Sequence, residues 1–248
     1  MQRIYSAVVV LCFLGLIMPL TAQKFSIKPF AGYYYPNMSD VNSKIDTDIR
    51  GFRNLLDAPI PFPGKFNGNI IFGGQIEYNA SEEYLFTLNV SYYGEKVSTD
   101  YFSAESTPTW EFDYQREVRM IDVIFNMHYY LGYNSWNRFN KYIGIGAGLA
   151  FLNAKSFTAS THPSNRIDTS GDFSGNILSG LISLGGNYRL TDILKLWAEF
   201  GLQYGNFGQL DGTITTFNNP EEIPATTESS FDLTGLYLRG GLGIALPF

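Results

Sequence analysis

Large apolar residues recur at every second position through eight separate stretches of the chain, with small or polar residues between them. The first, Phe25 to Tyr35, sets Phe25, Ile27, Ala31 and Tyr33 against Ser26, Lys28, Gly32 and Tyr34; Pro29 makes it the least regular. The pattern returns over Asn69 to Tyr78, Tyr84 to Tyr93, Tyr114 to Leu131, Lys141 to Leu152, Gly175 to Leu190 and Lys195 to Phe207. It closes with Phe231 to Phe248, where Leu236, Leu238, Leu242, Ile244, Leu246 and Phe248 oppose Tyr237, Arg239, Gly241, Gly243 and Ala245. Period two is the signature of a strand whose faces meet different surroundings. Lipid outside and a polar lumen inside supply them, so the pattern predicts an all-β fold, a closed antiparallel transmembrane β-barrel of eight strands.

The connections support closure in that form. They span 36–68, 79–83, 94–113, 132–140, 153–174, 191–194 and 208–230, alternately long and short. Both termini then fall on the short-turn side, which predicts long external loops and short periplasmic turns. A ten-stranded barrel is the alternative if residues 36–68 hide a hairpin.

Composition narrows the class further. Charged residues make up 16% of the chain, against roughly 25% in an ordinary soluble domain, and aromatic residues another 16%. No stretch beyond the N-terminus holds the ~20 consecutive apolar residues of a spanning helix, so any membrane crossing is made by strands. Residues 1–22 read as a cleaved secretory signal, with Arg3, an apolar run from Ala7 to Leu20 and Thr21-Ala22 at the expected cut; residues 23–248 form the barrel domain. Cys12 lies within that apolar run, as filler, and no disulfide is expected in the mature chain. Without Arg3 there remain 16 Lys and Arg against 23 Asp and Glu, a net charge of −7 that argues against a nucleic-acid partner.

The final stretch, with alternating apolar positions leading to a terminal aromatic residue, resembles the C-terminal signal of gram-negative outer-membrane β-barrels; Pro247 departs from it. Leu242, Ile244, Leu246 and Phe248 are the residues that carry it. The resemblance implies recognition by the barrel-insertion machinery and residence in the outer membrane. As a whole the mature chain is similar to the OmpA-like and PorT-like small barrels, which implies an envelope role in integrity, adhesion or secretion support. The architectural rival is a soluble, secreted lipocalin-like barrel with the apolar parity inside, binding a ligand there. Its outer face would be glycine, serine and asparagine, poor in charge for a surface in water.

Candidate chemistry sits on the inward parity. Lys28, Glu77, Asp122, Arg189, Glu199 and Arg239 form a candidate luminal charge network, with Arg189 low and Asp122 and Arg239 higher, and His128 is the luminal polar residue beside it. Such a network satisfies charges inside the barrel, or gates a narrow water path by exchanging partners. Gly144-Ile145-Gly146-Ala147-Gly148 is read as an inner face of glycines and not as a dinucleotide loop, because the third glycine at the required spacing is absent. No catalytic residue, cofactor site or metal site is assigned, and His162 reads as a solvated loop residue. The sequence therefore supports a structural or interaction barrel whose external loops meet an extracellular or envelope protein. A narrow gated pore and a membrane-embedded hydrolase using His128 are the alternatives.

If Phe248 is an assembly signal, its deletion lowers the heat-modifiable, membrane-inserted fraction in cells much more than the folded fraction obtained in detergent micelles. Equal losses in both assays would make it an ordinary packing residue.

Overall fold

The structure is a computed structural model that describes residues 25–104, 109–132, 137–163, 165–216 and 219–246. The expected signal segment 1–22 and the terminal Phe248 lie outside the described residues. Seven strands follow in order: β1 (Phe25–Pro36), β2 (Asn69–Asn79), β3 (Tyr84–Ser103), β4 (Trp110–Tyr130), β5 (Phe139–His162), β6 (Asn165–Arg189) and β7 (Leu194–Tyr204). Four short ones, β8 (Asn206–Gly208), β9 (Asp211–Thr216), β10 (Asn219–Thr226) and β11 (Phe231–Asp232), precede β12 (Gly235–Leu246). A single helix among the described residues, α1 (Ser39–Leu56), joins β1 to β2. β1 to β7 pair successively and antiparallel, and β12 closes the ring between β7 and β1. Eight strands thus leave no free edge in the shared section, the condition for placing a sheet in hydrocarbon.

The apolar parity faces outward. Phe125 is 55% exposed and Leu178 76%, and with Ile76, Ile145, Leu202 and Leu242 they belong to a belt running around the ring. A belt of this extent is far larger than a soluble surface tolerates and is solvated by lipid. Outward aromatic pairs flank it, Tyr84 with Tyr129 near the short turns and Phe72 with Tyr92 towards the long connections, at 5.4 and 5.1 Å between ring centroids. This orientation excludes the lipocalin-like arrangement.

Gly144, Gly146 and Gly148 face the lumen, as the alternation requires. A side chain at Gly146 would collide with Asn126 Oδ1, and one at Gly144 with the His128 ring, so the glycines make room for polar residues of β4. Likewise Gly241 lies against the carbonyl of Pro29, with no space there for a Cβ.

Several expected loops are instead ordered. Residues 36–68 contain α1 and no hairpin, so the ten-stranded alternative falls. Val41, Ile45, Ile49, Phe52 and Leu56 recur at helical spacing, Asp40 lies in the first turn and Arg53 in the last. Asp57 ends the helix in the left-handed conformation, its N–H bonded to the Arg53 carbonyl. Much of 94–113 and 153–174 continues β3 to β6, which run to 20, 21, 24 and 25 residues while β1, β2, β7 and β12 have 11 or 12. Where β7 leaves β6, β9 pairs with Thr169–Ser174 and β10 extends the sheet. The result is a six-stranded wall beyond the belt, with α1 packed on its inner side through Ile45 and Ile49, among Phe112, Tyr114, Val118 and Phe173 of the same buried cluster.

Gly146→Val should overpack the lumen and destabilise the barrel by about 1–3 kcal/mol. The check is the urea midpoint of folding in micelles; an unchanged midpoint would mean that the lumen has unused space at this level.

Candidate functional site

Two sets of residues stand out, one low in the lumen and one beyond the belt. In the lumen, β1 and β2 place Lys28 and Glu77 facing inward two residues apart in register, and β7 contributes Lys195. Glu77 is ion-paired to both Lys28 and Lys195. Lys28 also donates to Asn187 Oδ1 at 3.2 Å, and its ammonium lies 5.3 Å from the Trp197 ring centre. Asn187 in turn donates to the Tyr130 hydroxyl at 2.8 Å.

A second centre forms around Glu199. Arg239, directly opposite it in the β7–β12 register, donates through Nε at 3.0 Å and Nη2 at 2.6 Å to Glu199 Oε1. The hydroxyls of Tyr237 and Tyr142 donate to the same carboxylate at 2.9 and 3.2 Å. His128 stacks on Tyr142 with its Nε2 3.6 Å from Glu199 Oε2. Asp122 stands apart, accepting from Gln203 at 2.7 Å and Ser91 at 3.4 Å.

Of the six candidate network residues, the structure brings Lys28 to Glu77 and Glu199 to Arg239, and leaves Asp122 with neutral partners. Arg239 belongs with the low centre through Glu199. Arg189 is not in the lumen: it lies exposed at the rim, where the last turn reaches solvent. Lys195 takes the position sequence reasoning missed, although it shares parity with Trp197 and Glu199. Three cations, Lys28, Lys195 and Arg239, thereby balance three carboxylates, Glu77, Glu199 and Asp122. The amides of Gln75 and Asn89 have no protein partner among the described residues, and the cost of an unbonded buried amide assigns them to water. Ser183 and His128 flank Gly144 on successive strands, but no hydrogen bond joins them, and both are buried with Glu199. His162 lies at the far end of β5, edge-on to Trp110 at 4.7 Å. Of the terminal-strand residues, Leu242 and Ile244 face lipid and Leu246 pairs with Phe25.

Above these groups the lumen turns apolar and is then capped. Phe30 packs edge-on to Trp197 and Tyr34 edge-on to Tyr93, at 5.8 and 5.2 Å. The Tyr34 hydroxyl donates to the Leu233 carbonyl. α1 covers this cluster and is fixed by polar contacts: Asn42 exchanges two hydrogen bonds with the Phe66 backbone, and Asp46 pairs with Lys65. Asp48 accepts from Tyr114 and from Arg116 Nη2, both at 3.1 Å, and pairs with Lys44 at 2.8 Å. Lys44 also pairs with Glu228. Burial alone would lower the Lys44 pKa, but its bonds to Asp48 and Glu228 outweigh that and raise it. Burial, reinforced by Asp48 and opposed by Arg116, raises that of Tyr114. Between α1 and the wall a chamber of about 350 Å³ remains, and a comparable concavity on the outer face of the wall is polar.

No family model matches the chain, and no curated protein matches it by sequence. Solved structures do. A major outer membrane protein from Thermus thermophilus superposes with a TM-score of 0.55 over 91% of this chain and 100% of its own, at 12% identity. The outer membrane protein OprG from Pseudomonas aeruginosa gives 0.48 over 92% and 97%, at 13% identity. Neisserial surface protein A gives 0.40 over 89% and 96%, at 11%. The chain has the fold of an outer-membrane β-barrel. For such a barrel the lipid belt, the two aromatic levels and the alternating connection lengths have one common explanation.

Glu77→Gln should destabilise the barrel by about 3–5 kcal/mol, because it strands Lys28 without a counter-charge. The double variant Glu77→Gln/Lys28→Met should recover part of this loss, since Lys195 is 17% exposed and reaches water. Urea unfolding in micelles measures both; a double variant as unstable as the single would show that the pair is not coupled.

Proposed function

We propose that this protein is an outer-membrane barrel that acts in binding at its long-loop end, held outside the cell, and that its lumen serves as a structural support. The observation that carries this is α1: its apolar face, with Ile45 and Ile49 buried, closes the barrel over a lumen already filled by tyrosines and ion pairs. A conducting path would have to break both layers. An eight-stranded ring encloses about the volume its own side chains fill, which favours support over gating. Nor does the lumen suit hydrolysis, because His128, Ser183 and Glu199 are buried where no substrate approaches. Lipid is the surrounding solvent, the insertion machinery is the expected assembly partner, and an extracellular or envelope molecule is the expected ligand of the outer end.

Single cysteines test the sidedness. Asn54→Cys, on exposed α1 surface, should react with a membrane-impermeant maleimide on intact cells, and Glu82→Cys, in a short turn, only after permeabilisation. The opposite result would place the capped end in the periplasm and overturn the reading. In planar bilayers the purified barrel should be electrically silent, and steady single-channel conductance would establish a pore instead.

A further inference from the structure

The chamber between α1 and the wall is shaped as a binding site, and we propose that it takes a small amphipathic monoanion: an apolar body carrying one carboxylate. The inference rests on the reading that the outer end is the binding end. The lumen below is filled, whereas this space is left open by the side chains chosen for the wall. On β5 and β6 the inward positions here include the small residues Ala154, Ser156, Thr158 and Thr169, between the larger Phe173 and Ile167, facing a round helix. The resulting space of about 350 Å³ falls in the range of ligand pockets and corresponds to on the order of ten water molecules.

Its floor is apolar. Ile45, Phe66, Val118, Phe173 and Phe231 line it and are buried, so an apolar body gains by displacing water there. Its other end is charged in an unequal way. Lys44 and Arg116 both lean on Asp48, whose side chain is 12% exposed, and Lys44's second carboxylate, Glu228, is 75% exposed; Glu117 and Lys155, also at the lining, pair with Arg119 and Asp172 instead. Arg116 reaches Asp48 through Nη2, with its guanidinium carbon 4.7 Å from the centre of the Tyr114 ring. If Glu228 swings into solvent, two cations share one fixed carboxylate. A ligand carboxylate then replaces Glu228 on Lys44 and takes the remaining guanidinium N–H groups, a charge-assisted geometry that neither an amine nor a neutral head reproduces. The outer-face concavity offers no such surplus, because Lys155 pairs with Asp172 and Lys96 faces Glu117 across the strands.

The test uses the full barrel in lipid nanodiscs, with empty nanodiscs as the baseline, titrated calorimetrically with 4-phenylbutanoate, 4-phenylbutanamide and 4-phenylbutylammonium. The carboxylate should bind at one site per barrel, at least about tenfold more tightly than the amide, and the ammonium should not bind. Thr158→Phe, which fills the chamber, should abolish binding. Lys44→Gln, on the partly exposed helix, should weaken the carboxylate about tenfold and leave the amide unchanged. Heat-modifiable mobility confirms that each variant is folded, and Lys44→Gln decides the matter if Thr158→Phe is not. Equal binding of the three probes, no heat above the baseline, or parent-like binding to folded Thr158→Phe would overturn the proposal. Loss of the ligand site with Asn54→Cys still labelled from outside would remove this inference alone, whereas reversed labelling would remove the reading beneath it.

Discussion

The pairing of β12 with β1 closes a sheet of only eight strands, satisfying the backbone groups that an edge would expose to hydrocarbon and at the same time fixing a narrow interior. Each inward position must then be glycine or must find a partner inside. Gly144 and Gly146 yield space to His128 and Asn126, and the longer side chains meet in ion-paired sets: Glu77 between two lysines, Glu199 under Arg239 and two tyrosines. Buried ions of this kind add little net stability over apolar packing, yet the loss of one partner is costly. The network is therefore a consequence of closure before it is anything else.

The same strands change solvent along their length, and their polarity inverts where they do. On β4, Ile121, Phe125 and Met127 face out, with Asp122, Asn126 and His128 inside. Beyond Met120 the outward residues become Arg119, Glu117 and Gln115, and the inward ones Val118, Tyr114 and Phe112. Below this level the barrel is polar inside and apolar outside; above it, the wall is a water-soluble sheet with an apolar inner face. That inner face needs cover, and α1 is the cover.

This inversion explains what the sequence made legible. Strands in the belt, their parity, the ring of eight and most luminal charges follow from a single apolar-out alternation. The extensions of β3, β5 and β6 and the first residues of β4, Trp110 to Asp113, do not, because beyond the belt the apolar residues move to the other parity and a continuous strand looks like a polar loop; only on β4 did the predicted strand, Tyr114 to Leu131, already cross that level. α1 was hidden for a related reason: Val41, Ile45, Ile49 and Phe52 have the helical period, which a search for period two passes over. Lys195 was legible by parity and lost to its place beside a turn, while Arg189, on the inward parity, shows that parity alone does not place a residue inside once the strand reaches the rim.

Narrowness below and inversion above together explain why binding belongs at the outer end. An eight-stranded lumen has no room to spare, but the wall beyond the belt is no longer a closed ring, since β1, β2, β7 and β12 end there. A helix laid into the vacated arc meets a curved sheet along a limited stripe. Large wall residues such as Phe112 and Phe173 fill the join where they occur, and small ones such as Ala154, Ser156 and Thr158 leave it open. Asp48 alone does not neutralise both Lys44 and Arg116, and the second carboxylate on Lys44, Glu228, is largely in solvent, so an anion that replaces Glu228 finds both cations at the charged end of that opening. Among the described residues, the chamber is thus where the packing demands of a closed barrel are relaxed and its charges are not already matched by buried partners.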